Sequence, residues 1–311
     1  MSRARNTLVA ATALAMLASA CSMLNSPGSQ TRTPGIPDPA NAILLSVPSD
    51  TVYMIDPETG NVLPVASGLT DFQSGYASWS PKHARIAYGQ AGIRVVNPGS
   101  PHITTLVRGQ LISMPSWSPN GKQLVYGNGT AMFVKTLGKA GPDHIQLERD
   151  MAPYSFDWGK GSNIVFEGLS LTCTGVPTCM STNDTDVYTI HSDGSGLRRL
   201  THLERATAPK WAADYSRILF VRVTGRTGKH HRLNHQLWTI RPDGSDLTEL
   251  SDASNVVAAD WSPDGKQLAV VRSVGTEAGT NELQVWVGNA DGSHLRLVVD
   301  GISGSDATID W

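Results

Sequence analysis

The stretch WSPDGKQLAV at 261–270 places a tryptophan, a Ser-Pro-Asp-Gly turn and a short apolar strand in that order. Proline fixes φ early in such a turn, glycine permits positive φ, and aspartate bonds its own backbone. The same order returns as WSPKHARIAY (79–88) and WSPNGKQLVY (117–126), and more loosely as WGKGSNIVF (158–166) and WAADYSRILF (211–220). A sixth tryptophan stands at 311, and the six are 38, 41, 53, 50 and 50 residues apart. Each motif reads as a β-hairpin joining two strands, here named a and b.

A second hairpin, between strands c and d, follows in every unit. It is clear as VYMIDPETGNVLPV (52–65), VYTIHSDGSGLRRL (187–200), LWTIRPDGSDLTEL (237–250) and VWVGNADGSHLRLV (285–298). It is looser as IRVVNPGSPHITTL (93–106) and MFVKTLGKAGPDHIQL (132–147). Six c–d hairpins therefore stand against five a–b hairpins. The deficit disappears if the first unit starts at strand b (42–47) and the chain ends on a lone strand a (307–311). Their pairing completes one four-stranded sheet and closes a ring. Periods of this length with four strands each predict an all-β, six-bladed β-propeller of four-stranded blades. Trp79, Trp117, Trp158, Trp211, Trp261 and Trp311 then fill the same wedge in successive blades, and Trp238 and Trp286, on c strands, are expected in the core.

The W-S-P-D-G-K repeats resemble those of the TolB-type, WD-repeat-like propeller family, over about residues 42–311. The resemblance implies the propeller fold and a binding role.

The 311 residues carry a formal charge of −2, with 40% hydrophobic and 17% charged residues. That apolar content excludes a disordered tail protein, and the small net charge excludes broad capture of nucleic acid. Three cysteines exclude a four-thiolate zinc site. Arg3 and Arg5 precede a short apolar stretch from Leu8 to Ala20, so residues 1–20 read as a secretory signal peptide. The sequence LASA before Cys21 resembles the lipobox of bacterial lipoproteins. That resemblance implies lipidation of Cys21 and an anchor on the extracytoplasmic face of a bacterial membrane. Residues 21–41, with Pro27, Pro34, Pro37 and Pro39, read as a spacer before the propeller at 42–311. Losing the leader removes two arginines and no acids, taking the charge from −2 to −4. Outside the reducing cytosol Cys173 and Cys179 are expected to pair, and so short a loop contributes about 2 kcal/mol.

The b–c connections divide into two classes. Those at 48–51, 89–92 and 127–130 are four residues each, whereas 167–185, 222–236 and 272–282 run to 19, 15 and 11. Three long loops in consecutive blades predict a binding wall on the b–c face, while the a–b and c–d turns predict a flat, structural face. The middle loop carries Arg222, Arg226, Lys229, His230, His231, Arg232 and His235 and no acid, which favours phosphate or carboxylate groups. His231 and His235 have a spacing that metals use only on a helix. Asp157, Lys210, Asp260 and Asp310 each precede a motif tryptophan and so are expected near the channel. They read either as repeat-serving backbone partners or as a cation site like that of six-bladed lactonases.

No nucleophile elbow, H-E-x-x-H or phosphate loop occurs. The leading expectation is a monomeric, membrane-anchored, non-enzymatic module without a cofactor, binding a protein or envelope polymer, anionic if the basic loop selects it. The alternative is a propeller enzyme of lactonase or lyase type with a channel metal.

Overall fold

The computed structural model describes residues 37–48, 50–67, 76–100, 102–109, 113–129, 131–147, 150–173, 179–227, 232–251, 255–275 and 281–311. The segment read as a signal peptide, Cys21 and most of the segment read as a spacer lie outside them, as do Lys229, His230 and His231.

The first blade combines β1 (Ile43–Val47), β2 (Thr51–Ile55) and β3 (Val62–Ser67) with β24 (Thr308–Asp310), in the order β24-β1-β2-β3. Blade 2 contains β4 (Ala77–Trp79), β5 (Ile86–Gly89), β6 (Gly92–Val96) and β7 (Ile103–Arg108). In blade 3 follow β8 (Ser113–Trp117), β9 (Gln123–Gly127), β10 (Met132–Thr136) and β11 (Asp143–Ile145). Blade 4 runs through β12 (Met151–Trp158), β13 (Asn163–Cys173), β14 (Cys179–His191) and β15 (Arg198–Arg199). Blade 5 is β16 (Ala206–Trp211), β17 (Ile218–Thr227), β18 (Arg232–Ile240) and β19 (Thr248–Ser251). The last is β20 (Val256–Trp261), β21 (Gln267–Gly275), β22 (Asn281–Asn289) and β23 (Arg296–Ser303).

The fold is thus an all-β, six-bladed propeller, and its two ends meet in one sheet. β24 pairs antiparallel with β1 in the register Leu44↔Asp310, Leu45↔Ile309 and Ser46↔Thr308. Closure in the first blade removes the open edge that a linear array of sheets would leave at its inner rim.

Why the tryptophan repeats is visible in the core. Apolar clusters sit between neighbouring blades, and each interface takes one motif tryptophan: Trp79 between blades 1 and 2, Trp117 between 2 and 3, and so on to Trp311 between 6 and 1. All six are 4–8% exposed. Each buries about 150–250 Å², a gross gain of at most roughly 4–6 kcal/mol. The wedge is tight. A Cβ on Gly159 would lie 2.6 Å from the Trp211 indole, so the looser WGKGS turn of blade 4 needs glycine where blade 5 packs over it. Trp238 and Trp286 depart from expectation in being only half-buried. Each is covered by an arginine, Arg222 and Arg272, with the guanidinium 4.9 Å from the ring centroid.

The long b–c loops are not loops. Strands b and c simply continue past the blade body as two-stranded ribbons. In blade 4 the register runs from Asn163↔His191 to Cys173↔Cys179, in blade 5 from Ile218↔Ile240 to Thr227↔Arg232, and in blade 6 from Gln267↔Asn289 to Gly275↔Asn281. The corresponding strands of blades 2 and 3 have only four or five residues. Cys173 and Cys179 therefore stand opposite one another in the backbone register; their side chains lie outside the described residues.

Candidate functional site: the axial channel and its two mouths

Strand a lines the axis, and the residue before each motif tryptophan points to the neighbouring blade or the channel. In four places it accepts the backbone N–H of the next blade's tryptophan. Trp79 donates to Asp310 Oδ2 (2.6 Å), Trp158 to Ser116 Oγ (3.0 Å), Trp211 to Asp157 Oδ2 (2.7 Å) and Trp311 to Asp260 Oδ2 (3.2 Å). The Ser78 Oγ accepts no such bond and an ammonium cannot, so Ser78 and Lys210 both stand outside the series. Trp261 instead donates to its own blade's Asp260 Oδ1 at 2.8 Å.

Lys210 turns to the channel centre, where Nζ lies 2.5 Å from Asp310 Oδ1 and 3.1 Å from Asp260 Oδ2. Burial works against this ammonium, but Asp260, Asp310 and Asp157 outweigh it and hold its pKa above the ordinary lysine value. One positive charge does not neutralise three carboxylates. Burial raises the pKa of Asp157, against the pull of Lys210 and the Trp211 N–H. Burial likewise pushes Asp260 up to about 7, opposed by Lys210 and reinforced by Asp310 and Asp157.

The candidate channel residues are therefore brought together, but not as a metal site. A divalent cation of the lactonase type needs free oxygen ligands. Here the carboxylate oxygens already hold an ammonium and backbone N–H groups, and among the described residues no three His, Cys, Asp or Glu side chains form a metal-holding group. The donor set does not fit the metal.

Toward the b–c mouth lies a second acidic group, half-buried Glu167 and the more exposed Asp306, which sequence reasoning missed. Inner strands β8, β12 and β16 carry bulges three residues before their tryptophans, with φ of 48° at Met114, 44° at Ser155 and 50° at Ala208. The bulge in β16 aims the Ala208 N–H at Glu167 Oε2 (3.3 Å). Burial pushes the Glu167 carboxyl up to about 7, the Ala208 N–H opposes this, and Asp306 adds to it. Burial also raises Asp306, opposed by the Ala307 N–H and by His235. The Tyr76 phenol is raised by burial, then by Asp306 and Glu167. A signal for Glu167 was present: in register from the motif tryptophan, its place is held by Gly89, Gly127, Val221 and Val271 in the other motif-bearing blades.

Of the basic loop residues, Arg222 lies in β17 against Trp238, and His235 lies in β18 with Nδ1 2.9 Å from the Val256 carbonyl oxygen. Arg226 and Arg232 belong to the outer ribbon, paired in backbone register with Leu233 and Thr227.

The opposite face corrects the expectation of flatness. A cavity of about 290 Å³ opens among the a–b turns, walled by all six motif tryptophans, with Lys82, His83 and Tyr215 around it and Asp157, Asp260 and Asp310 beneath. Splaying of blades around an axis makes this hollow, whatever the length of the turns. Residues 39–41 reach the propeller on the same face: Trp311 Nε1 donates to the Asn41 carbonyl (3.0 Å), and His83 Nδ1 lies 2.5 Å from the Pro39 carbonyl oxygen while its ring stacks on Trp79.

No protein-family model and no curated protein sequence matches the chain. Solved structures do. A structure described as TolB from Agrobacterium tumefaciens aligns with a TM-score of 0.59 at 16% identity, covering 86% of this chain and 98% of the other. The gluconolactonase XC5397 from Xanthomonas campestris gives 0.52 at 14% identity, over 88% and 89%. The oligogalacturonate lyase of Vibrio parahaemolyticus gives 0.50 at 11%, over 80% and 71%. At these identities the likeness establishes the six-bladed propeller fold alone.

Proposed function

We propose that this chain is an exported, lipid-anchored propeller that binds without catalysing, holding an anionic segment of a protein or envelope polymer against the ribbons of blades 4–6. The observation that carries the reading is the elongation of three consecutive b–c hairpins, β13–β14, β17–β18 and β21–β22, on one face of an otherwise regular ring. Strand extension of this kind adds surface without adding core, and binding is the usual reason for it. The middle ribbon brings Arg222, Arg226, Arg232 and His235 to that face without an intervening acid. The spacer joins the propeller on the opposite face, at Asn41 and Pro39, so a tether from Cys21 leaves the ribbons pointing away from the anchoring membrane. The use of the channel carboxylates on Lys210 and backbone N–H groups favours this reading over a metal-dependent lactonase or lyase.

The test is crosslinking capture from intact cells. Wild type is compared with a variant whose ribbons are cut back to the register pairs Leu169↔Thr185, Thr224↔Asn234 and Ser273↔Leu283, each closed by an Asn-Gly turn. The expected result is loss of the captured partner with the melting temperature of the propeller retained. Unchanged capture by the trimmed protein rejects the proposed face.

A further inference from the structure

Three ribbons leave two gaps, one between blades 4 and 5 and one between blades 5 and 6, and a guanidinium stands at the base of each. Arg222 pairs in register with Ala206, the first residue of β16, and Arg272 with Val256, the first residue of β20. Both therefore sit where the inner strand begins and the ribbon leaves the blade body. Each is half-buried and lies over an indole, Arg222 over Trp238 and Arg272 over Trp286, 4.9 Å from the ring centroid. The apolar cluster between blades 4 and 5 takes Trp238, and that between blades 5 and 6 takes Trp286, which fixes the gap each pair faces. In register from the motif tryptophan, the place of these arginines is held by Gln90 and Asn128 in blades 2 and 3 and by Gly168 in blade 4. A Cβ on Gly168 would lie 2.6 Å from the Tyr188 ring, so blade 4 has no room for such a side chain. Among the motif-bearing blades the arginine–tryptophan pair thus belongs to the two gaps that ribbons flank on both sides.

The acids of the outer strands are engaged elsewhere. Gln236 Nε2 donates to Glu249 Oε1 at 2.7 Å, and Gln284 Nε2 donates to Asp300 Oδ1 at 3.0 Å. Among the described residues no carboxylate lies within ion-pair distance of Arg222. A guanidinium held over an indole has already given up side-chain freedom, and its N–H fork matches the two oxygens of a carboxylate. We infer that Arg222 and Arg272 are paired carboxylate receivers, taking two acidic side chains of an extended peptide laid across the ribbon bases. The inference rests on the ribbon face being the binding face and names what that face reads. Sheets packed face to face stand about 10 Å apart and an extended chain rises about 3.3 Å per residue, so neighbouring gaps match acids three residues apart.

Titration calorimetry of the full-length protein tests this with acetylated, amidated octapeptides of glycine and serine. One carries Glu at its third and sixth positions, one carries Gln there, and one carries Glu at its third and fourth. The spaced-Glu peptide is expected to bind saturably, with the Gln peptide weaker by about tenfold or more and the adjacent-Glu peptide, of equal charge, weaker by several-fold. Arg222→Lys and Arg272→Lys keep the charge and lose the planar fork, and each is expected to cost about tenfold and to abolish the preference for spacing. Digalacturonate, a dianion on a sugar frame, is expected to bind more weakly than the spaced-Glu peptide. The ribbon-trimmed variant retains both arginines and is expected to bind the spaced-Glu peptide while losing the captured partner. Unchanged capture thus rejects the ribbon reading, whereas the peptide comparison rejects this one. Equal binding of the Glu and Gln peptides, indifference to spacing, lysine variants that bind as wild type does, or tighter binding of digalacturonate overturns the inference. Because the peptides are compared on wild type, the result stands even where a lysine variant does not fold.

Discussion

Replacing Lys210 by methionine keeps most of the side-chain volume and deletes the one ammonium of the channel centre. At contacts of 2.5 and 3.1 Å, the two carboxylate partners are attracted by about 5–7 kcal/mol each at an effective dielectric of about 20, before desolvation is subtracted. Breaking a buried pair from one side leaves the other charges uncompensated and costs about 3–5 kcal/mol net. In a domain of this size that lowers the melting temperature by roughly 10 °C, taking about 2–4 °C per kcal/mol. The deficit has a pH signature. At pH 8 the channel carboxylates must repel one another in the variant, whereas at pH 5 Asp260, pushed up to about 7, takes up a proton and relieves the repulsion. Thermal melts of wild type and Lys210→Met at the two pH values should therefore show a large gap at pH 8 that shrinks by half or more at pH 5. A gap of equal size at both values refutes the electrostatic account and assigns the loss to packing of the lysine stem. No gap at all refutes the buried cluster itself.

Two further outcomes follow from the same geometry. Asp260 and Glu167 both titrate near 7 in the folded protein, above their ordinary values, so between about pH 4 and 7 the native state holds protons that the unfolded chain has released. Stability should fall as pH rises across that window, by at most about 1.4 kcal/mol per pH unit for each proton, and denaturant midpoints of Asp260→Asn/Glu167→Gln should flatten the slope. Deleting residues 307–311 removes β24, the buried Ile309 and Trp311, and the Asp310 bonds to Trp79 and Lys210. Since a single indole contributes a gross 4–6 kcal/mol or so, the truncated protein should melt at least 10 °C lower, and an unchanged melt contradicts closure as a source of stability.

Most of the architecture could be read from one residue type. A tryptophan followed by Ser-Pro-Asn/Asp-Gly announces a hairpin locally, and its recurrence counts blades, because each interface needs one large wedge. The unpaired strand a at 307–311 located the seam for the same reason. Elsewhere local reading stopped short. The segment LSLTC (169–173) alternates apolar and polar residues as a strand should, but its polar and glycine-rich surroundings made it read as loop. Its continuation of β13 depends on pairing with β14 in long register. RVTGRTGKHHRLNHQ (222–236) reads as a basic loop because charge and glycine obscure the same continuation. The hollow on the turn face leaves no mark in any turn's sequence, since it belongs to the ring and not to a blade. Nor do the acidic clusters: Asp157 and Asp310 stand far apart in the chain and meet around Lys210 only after closure.

Lys210 itself shows how a repeat yields to a site. In blades 1, 3, 4 and 6 the residue before the tryptophan stitches one blade to the next by accepting a backbone N–H. Blade 5 gives up that stitch, and Asp260 compensates by turning one oxygen to its own tryptophan and the other to Trp311. A lysine that only neutralised its neighbours would need one carboxylate, and a purely structural ring could have kept an acceptor in blade 5 and fewer charges. The arrangement instead keeps a buried excess of acid directly beneath an aromatic cavity. Buried charge without full compensation is costly, and burial accordingly raises the pKa of both Asp157 and Asp260 against the pull of Lys210.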